Sequence, residues 1–330
     1  MHNARMTMPN PFLTMPMPAW QRLTEQPDGL SESPFWHAQE SRLYWVDIPG
    51  RRIGRMRVQG LDELQAEPPE YWDLPEEPGC LAPVAREDGG GLVLARRDGV
   101  FRARAWGGAW ELLAAAPYDT TRLRFNDGKC DPRGRLWVGT MYEPRGQSLG
   151  VLYRLDRQAG GYQLQPMAHG AIVANGLAWS PDARTLYWSC TGHHQVRAWQ
   201  FDADSGTLAA ERVFQSLPKK PEGWAWGDAR AYEGRPDGAS VDAEGAYWSA
   251  QMEGACLKRF APDGRLLQTV PTPVLCPTMP CFGGPDGRTL FITSASDGRP
   301  AHERQALPGA GCIWALRVPV PGLPVQAWRA

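Results

Sequence analysis

No apolar run among the 330 residues approaches the 18 or more that a membrane-spanning helix needs. No surplus of one charge marks the chain either. Lys and Arg total 35 against 36 Asp and Glu, a formal net charge of −1, so no electrostatic footprint of a nucleic-acid or anionic-membrane partner is present. Cysteine is sparse and scattered: seven residues, at positions 80, 130, 190, 256, 276, 281 and 312. Cys276 and Cys281 are close, but a lone Cys-x4-Cys lacks the second pair of a zinc site. Most of the seven read as reduced strand residues of a cytoplasmic protein. A Gly-x-Ser-x-Gly elbow is missing, and Ser240, Ser249 and Ser294 have no adjacent base, which argues against a serine hydrolase.

What is abundant is glycine (36), proline (31) and tryptophan (15), a composition suited to many short strands joined by turns. Residues 1–19, rich in Met and Pro without a sustained apolar core, read as a flexible arm or an upstream start rather than a signal peptide. The rest, residues 20–330, reads as a single domain.

One phrase recurs six times: a turn, one or two residues, then an apolar or aromatic strand. It appears as His37-Ala-Gln-Glu-Ser-Arg-Leu-Tyr-Trp-Val46, Arg86-Glu-Asp-Gly-Gly-Gly-Leu-Val-Leu94, Asp131-Pro-Arg-Gly-Arg-Leu-Trp-Val138, Ser180-Pro-Asp-Ala-Arg-Thr-Leu-Tyr-Trp188, Asp242-Ala-Glu-Gly-Ala-Tyr-Trp248 and Gly284-Pro-Asp-Gly-Arg-Thr-Leu-Phe-Ile292. The first strand residues, 43, 92, 136, 186, 247 and 290, are 43 to 61 residues apart, the period of a propeller blade. A β-sandwich with similar turn spacing would rarely repeat one turn phrase so often. The predicted fold is therefore an all-β, six-bladed propeller of four-stranded blades around a central channel. Val100–Ala103, Val151–Leu155, Val196–Phe201 and Cys256–Phe260 are its outer-strand candidates. The longest interval carries an insertion, residues 219–232, with Trp224 and Trp226.

Ten to twelve residues before each anchor stand Glu32, Cys80, Asn126, Asn175, Asp237 and Thr278. In a propeller this position begins the innermost strand, so its side chains converge on the channel. Glu32, Asn175 and Asp237 together make a hard, all-oxygen donor set suited to one divalent cation. Taken singly, Asn126-Asp-Gly, Asn175-Gly and Asp237-Gly are ordinary turn dipeptides, and the stretch from Arg124 to Gly128 reads as a polar turn. Their common phase is what points to a site. The adjacent His193 and His194 read as structural, because successive strand residues face opposite ways.

These residues resemble those of the gluconolactonase, senescence-marker-protein and luciferin-regenerating-enzyme family of six-bladed propellers. The resemblance rests on Ser31-Glu-Ser-Pro-Phe-Trp36, Arg124-Phe-Asn-Asp-Gly-Lys129, Gly139-Thr-Met141, Asn175-Gly-Leu-Ala-Trp-Ser-Pro-Asp182, Pro236-Asp-Gly238 and Cys281-Phe-Gly-Gly-Pro-Asp286. It implies hydrolysis of lactones with one bound divalent metal. Glu32, Asn175 and Asp237 take the positions of the metal ligands, and Arg124 and Asn126 those of substrate contacts. An acidic substrate-binding residue after Gly-Thr-Met falls on Glu143 or on Pro144.

The mechanism so implied is metal-assisted attack of water on a sugar (aldono-)lactone, with Asp237 as ligand and general base and Arg124 stabilising the oxyanion. Calcium, zinc, manganese and iron(II) all suit a mixed amide and carboxylate set. The expected partner is a small-molecule lactone, without nucleic acid or membrane, for a monomer or small homo-oligomer. Two rival readings share the donors: a non-hydrolytic metabolite-binding propeller with a structural cation, and a phosphotriesterase-like hydrolase. A buried guanidinium at Arg124 separates the first from carbonyl chemistry, since a structural cation has no use for one.

Overall fold

The computed structural model describes residues 16–228 and 231–330. Most of the N-terminal arm, residues 1–15, and two residues of the insertion, 229 and 230, lie outside the described residues. Among the described residues the chain forms six antiparallel sheets, five of them built from consecutive strands, and one short α-helix, Ala301–Ala306. Among the described residues no helix is long and apolar enough to cross a membrane.

The blades begin with the inner strands Ser31–His37, Pro78–Pro83, Leu123–Cys130, Ala174–Trp179, Arg235–Val241 and Pro277–Gly283. Each inner strand contacts the inner strand of the next blade, and the sixth contacts the first, so the six close a ring around a channel. The predicted anchors all fall at the first or second residue of the second strand: Arg42–Asp47, Leu92–Arg96, Leu136–Tyr142, Thr185–Cys190, Tyr247–Met252 and Thr289–Ser294. The candidates for outer strands form third strands instead. The outermost are Glu111–Ala115, Gly161–Ala171, Thr207–Ser216 and Leu266–Pro271 in blades 2 to 5. In blade 1 the outer edge is split into Gln65–Ala66 and Glu70–Asp73.

The aromatic second strands supply the core between blades. Trp45, Trp137, Trp188 and Trp248 are each at most 2% exposed. An indole N–H so buried needs an acceptor. Trp45 donates to Asp28 at 2.7 Å, Trp137 to Asp131 at 2.9 Å and Trp248 to Asp242 at 2.8 Å. Each carboxylate also receives an arginine, Arg52, Arg135 and Arg259 respectively. Asp131 and Asp242, the aspartates of two Asp-x-x-Gly turns, thus tie a turn to the core tryptophan that follows it. All seven cysteines are free and buried.

The ring is closed by the two chain ends. Gln21–Arg22 adds the outer strand of blade 6 by pairing with Trp314–Arg317. Beyond that strand the C-terminal tail crosses the end of the channel where the inner strands finish. Leu323 to Gln326 line a cavity of about 280 Å³ there, and Trp328, 1% exposed, bridges to Val84 of blade 2. The opposite end of the channel, where the inner strands begin, holds the polar heads of the repeat.

Candidate active site

The repeat heads do not sit in turns. Asn126-Asp-Gly, Asn175-Gly and Asp237-Gly all lie inside inner strands, and Arg124 to Gly128 belongs to the strand Leu123–Cys130. The Gly, Asn and Asp residues serve a different device. Every inner strand breaks register with its neighbour close to its head: between Glu32 and Phe35, Pro78 and Cys80, Phe125 and Gly128, Asn175 and Ala178, Pro236 and Ala239, and Pro277 and Pro280. A bulge interrupts the ladder and re-aims side chains that regular alternation would turn away. Gly176 shows why glycine is needed there. Its φ is +55°, and a Cβ would lie 2.4 Å from Tyr247 Oη and 2.5 Å from Ser189 Oγ. Ser33, after Glu32, takes the corresponding left-handed conformation at φ 50°.

At this level of the channel Glu32, Arg124, Asn126, Asp127, Asn175 and Asp237 are all buried, none more than 8% exposed. One hydrogen-bonded chain runs through four of them. Arg124 Nη1 donates to Asn126 Oδ1 at 2.8 Å, and also to Phe125 O at 2.9 Å. Because arginine only donates, the Asn126 amide must present its nitrogen onward. Asn126 Nδ2 donates to Asn175 Oδ1 at 3.0 Å, and Asn175 Nδ2 donates to Asp237 Oδ1 at 2.5 Å. Glu32 makes no such bond: its Oε2 is buried without a partner, as is Oδ1 of Asp127.

Electrostatics mark the same spot. Burial, with Asp237 and Asp127 adding repulsion, holds the Glu32 carboxyl well above the usual range. Burial pushes Asp237 up to about 7, with Arg235 opposing and Asp127 adding. Asp127 is raised by burial against the pull of Lys129. Burial lowers Arg124 to about 10 although Glu143 pulls the other way. Three buried carboxyls that resist ionisation, two of them with an unpartnered oxygen, suit a hard cation bound by oxygen. Among the described residues no group of three or more His, Cys, Asp and Glu side chains gathers as a metal site. The donor set that fits is mixed: the carboxylates of Glu32 and Asp237 with the amide oxygen of Asn175.

Glu143 stands at the rim, just past the second strand of blade 3. Arg97 grips both its oxygens, at 2.8 and 2.9 Å, and Arg124 Nε lies 3.6 Å away. Arg97 in turn bonds Glu77 at 2.8 Å. The two histidines hold loops. His193 Nε2 lies 3.0 Å from Ser148 Oγ, and buried His194 sets Nδ1 2.8 Å from Pro218 O. In the insertion, Trp224 packs edge-on against Tyr232, and Trp226 stacks on His302.

Sequence reasoning passed over Asp127, whose charge acts on both Glu32 and Asp237. Asp127 is adjacent to Asn126, and neighbours in a regular strand face opposite ways. The bulge overturns that rule. Asp127 Oδ2 accepts from Leu177 N of the next blade at 3.0 Å, and Lys129 Nζ bonds Ala239 O of blade 5. The signal was present in the Asn-Asp-Gly triplet, whose glycine permits the bulge, but it read as a turn.

Comparison with known proteins places these features in a wider group. Residues 30–296 match the family profile described as the SMP-30/gluconolactonase/LRE-like region. A 6-deoxy-6-sulfogluconolactonase of Pseudomonas putida is 40% identical over 304 residues, covering 91% of this chain and 95% of that protein. A pentonolactonase of Haloferax volcanii is 31% identical over 307 residues, with 92% and 96% covered. Among solved structures, a calcium-binding protein, regucalcin, from Agrobacterium tumefaciens superposes with a TM-score of 0.81 at 26% identity, covering 95% of this chain and 99% of that one.

Proposed function

The chain belongs to the SMP-30/gluconolactonase/LRE-like family and is a lactone hydrolase; we propose that it opens a sugar lactone to the corresponding acid at the bulged ring of inner strands. The observation that carries the reading is the meeting of a buried guanidinium, Arg124, with buried oxygen donors at one level of the channel. The names of the lactonase relatives support the substrate class. The calcium-binding regucalcin neighbour and the partnerless Glu32 oxygen support a divalent cation.

Glu32, Asn175 and Asp237 would hold that cation, which when bound polarises the lactone carbonyl and acidifies water. The remaining roles fall to the chain itself. Asp237, with a carboxyl displaced towards neutrality, accepts the proton of the attacking water. Water oxygen bonds to the carbonyl carbon, the ring C–O bond breaks, and the departing ring oxygen takes back from Asp237 the proton that water lost, becoming a hydroxyl. Arg124 offers its guanidinium to the negative charge that grows on the carbonyl oxygen. Its orientation is set by the two bonds from Nη1, to Phe125 O and Asn126 Oδ1. Asn126 and Glu143 contact the sugar hydroxyls, with Glu143 held as a carboxylate by Arg97.

The test is a rate comparison on protein reconstituted with calcium, manganese or zinc. Aldonolactones and a phosphotriester are followed by acid release, before and after chelation. Lactone turnover that disappears with the chelator and returns with the cation is the expected result. Faster phosphotriester turnover, or lactone turnover indifferent to the chelator, sinks this reading.

A further inference from the structure

The carbonyl just before each of Glu32, Asn175 and Asp237 is gripped by a side chain of another blade. Asn126 of blade 3 donates through Nδ2 to Ala174 O at 2.9 Å. Thr191, just past the second strand of blade 4, donates through Oγ1 to Pro236 O of blade 5 at 2.7 Å. Thr278 of blade 6 donates through Oγ1 to Ser31 O of blade 1 at 2.6 Å. The boundaries differ and the side chains differ, yet the acceptor is always the residue preceding an oxygen-bearing head.

The position of these residues in the ladder explains why such clamps are needed. Ile48 N donates to Leu30 O and Thr191 N to Val173 O, so alternation turns the next carbonyls, Ser31 O and Ala174 O, to the edge of the inner strand that has no partner strand in its own blade. Leaving one unpaired costs about 1–3 kcal/mol. A hydroxyl from the neighbouring blade removes that cost and also fixes the two strands against each other. Apolar packing between blades is non-directional, whereas a hydrogen bond is sensitive to displacement. Both threonines are buried, Thr191 at 8% and Thr278 at 0% exposure, so the bonds run without competing water.

Thr191 does a second task. With its hydrogen committed to Pro236 O, its oxygen accepts from Asn175 Nδ2 at 2.8 Å. The Asn175 amide is thereby held from both sides, its nitrogen towards Thr191 and Asp237 and its oxygen towards Asn126. Ser189, two residues earlier and within that second strand, donates to Asp237 O at 3.0 Å. Blade 4 therefore holds the carbonyls on both sides of the Asp237 Cα.

We propose that Thr191 and Thr278 are positioning residues of the cation site. They set the spacing of the donor-bearing strands, and Thr191 in addition keeps the Asn175 amide oxygen available as a donor. The inference rests on the reading of Glu32, Asn175 and Asp237 as cation ligands. It assigns the head of the sixth repeat, Thr278, a clamping role in place of ligation.

The experiment measures cation affinity directly, by calorimetric titration of the apoprotein with Ca²⁺, Mn²⁺ and Zn²⁺, so no turnover enters the readout. For the tightest cation, Thr191→Val and Thr278→Val should each raise Kd at least 10-fold, the typical effect of losing an outer-shell partner. Thr191→Ser and Thr278→Ser, which keep the hydroxyl, should stay within about threefold of the parent. Thr140→Val is the control. Thr140 is equally buried but its hydroxyl bonds Val151 within blade 3, so its loss should leave Kd unchanged. If a valine variant does not fold, the alanine variant at that position takes its place. Parent-like Kd in the variants lacking the hydroxyl overturns the clamping role alone. A parent protein that binds none of the three cations, or binds them equally well after Glu32→Gln with Asp237→Asn, overturns the site reading and this inference with it.

Discussion

Asp237 and Arg124 stand at the two ends of one hydrogen-bonded chain with opposite electrostatic problems, and substitution separates their roles. Asp237→Asn keeps the shape and one oxygen donor while removing the charge and the base. At saturating cation its kcat is expected to fall roughly 100-fold or more, the usual range for a lost general base. Near-parental turnover in that assay would reduce Asp237 to a ligand. Arg124→Ala removes a group that cannot ligate a cation. The expected outcome is a fall of roughly 100-fold in kcat/KM, the scale of a lost oxyanion donor. Cation affinity measured by titration should change little. A large loss of affinity would mean that Arg124 acts chiefly by holding the Asn126–Asn175 chain in place.

At the scale of elements, the loops around the channel are tied down by ion pairs rather than by ladders. Glu253, 3% exposed, receives Lys220 of the insertion at 2.8 Å and Arg299 at 2.9 Å, with Arg235 at 3.4 Å. Burial works against its ionisation, but Arg235, Lys220 and Arg299 outweigh it and hold the carboxyl below its ordinary value of 4.5. The sign follows directly. A depressed carboxyl stabilises the fold above its unfolded value, and that contribution is lost as pH falls through the folded one. Below about pH 4.5 the tie to Lys220 should therefore weaken. Hydrogen exchange between residues 219 and 228 should rise there before exchange in the blade cores, and Glu253→Gln should show the same rise at neutral pH. Uniform exchange across the molecule in acid would assign the loop no separate tie.

For the whole molecule, the question is what keeps six similar sheets in one closed ring. The first described strand, Gln21–Arg22, completes the last blade, and the C-terminal tail crosses to the far side. Trp328 anchors that tail in the core shared by blades 2 and 3, its ring tilted against that of Tyr162, while its backbone bonds Pro83 and Ala85. Trp328→Ala should lower unfolding stability by about 3–5 kcal/mol, as for other fully buried aromatics. A denaturation midpoint within experimental error of the parent would mean that the tail merely rests on the ring. Because the tail lies at the end of the channel away from the bulged heads, cation affinity should survive the change in whatever fraction remains folded.

Much of this architecture could be read from the chain alone, for a definite reason. The turn phrase of each blade is local: Gly tolerates the left-handed conformation, Asp accepts from its own turn, and the aromatic run that follows has one buried fate. Repetition at a nearly constant period then leaves few arrangements besides a ring. Phase picked out Glu32, Asn126, Asn175 and Asp237, because side chains at equivalent blade positions converge on one axis. What the chain could not show is how two neighbours, Asn126 and Asp127, come to lie at one level of the channel. Nor could it show that Thr191 and Thr278 bind carbonyls of other blades. Those outcomes depend on bulges and on bonds spanning 45 and 247 residues of sequence. A bulge is selected by packing between strands, and a cross-blade bond exists only once the ring has closed. Local sequence set the strands and their period; closure decided which polar atoms meet.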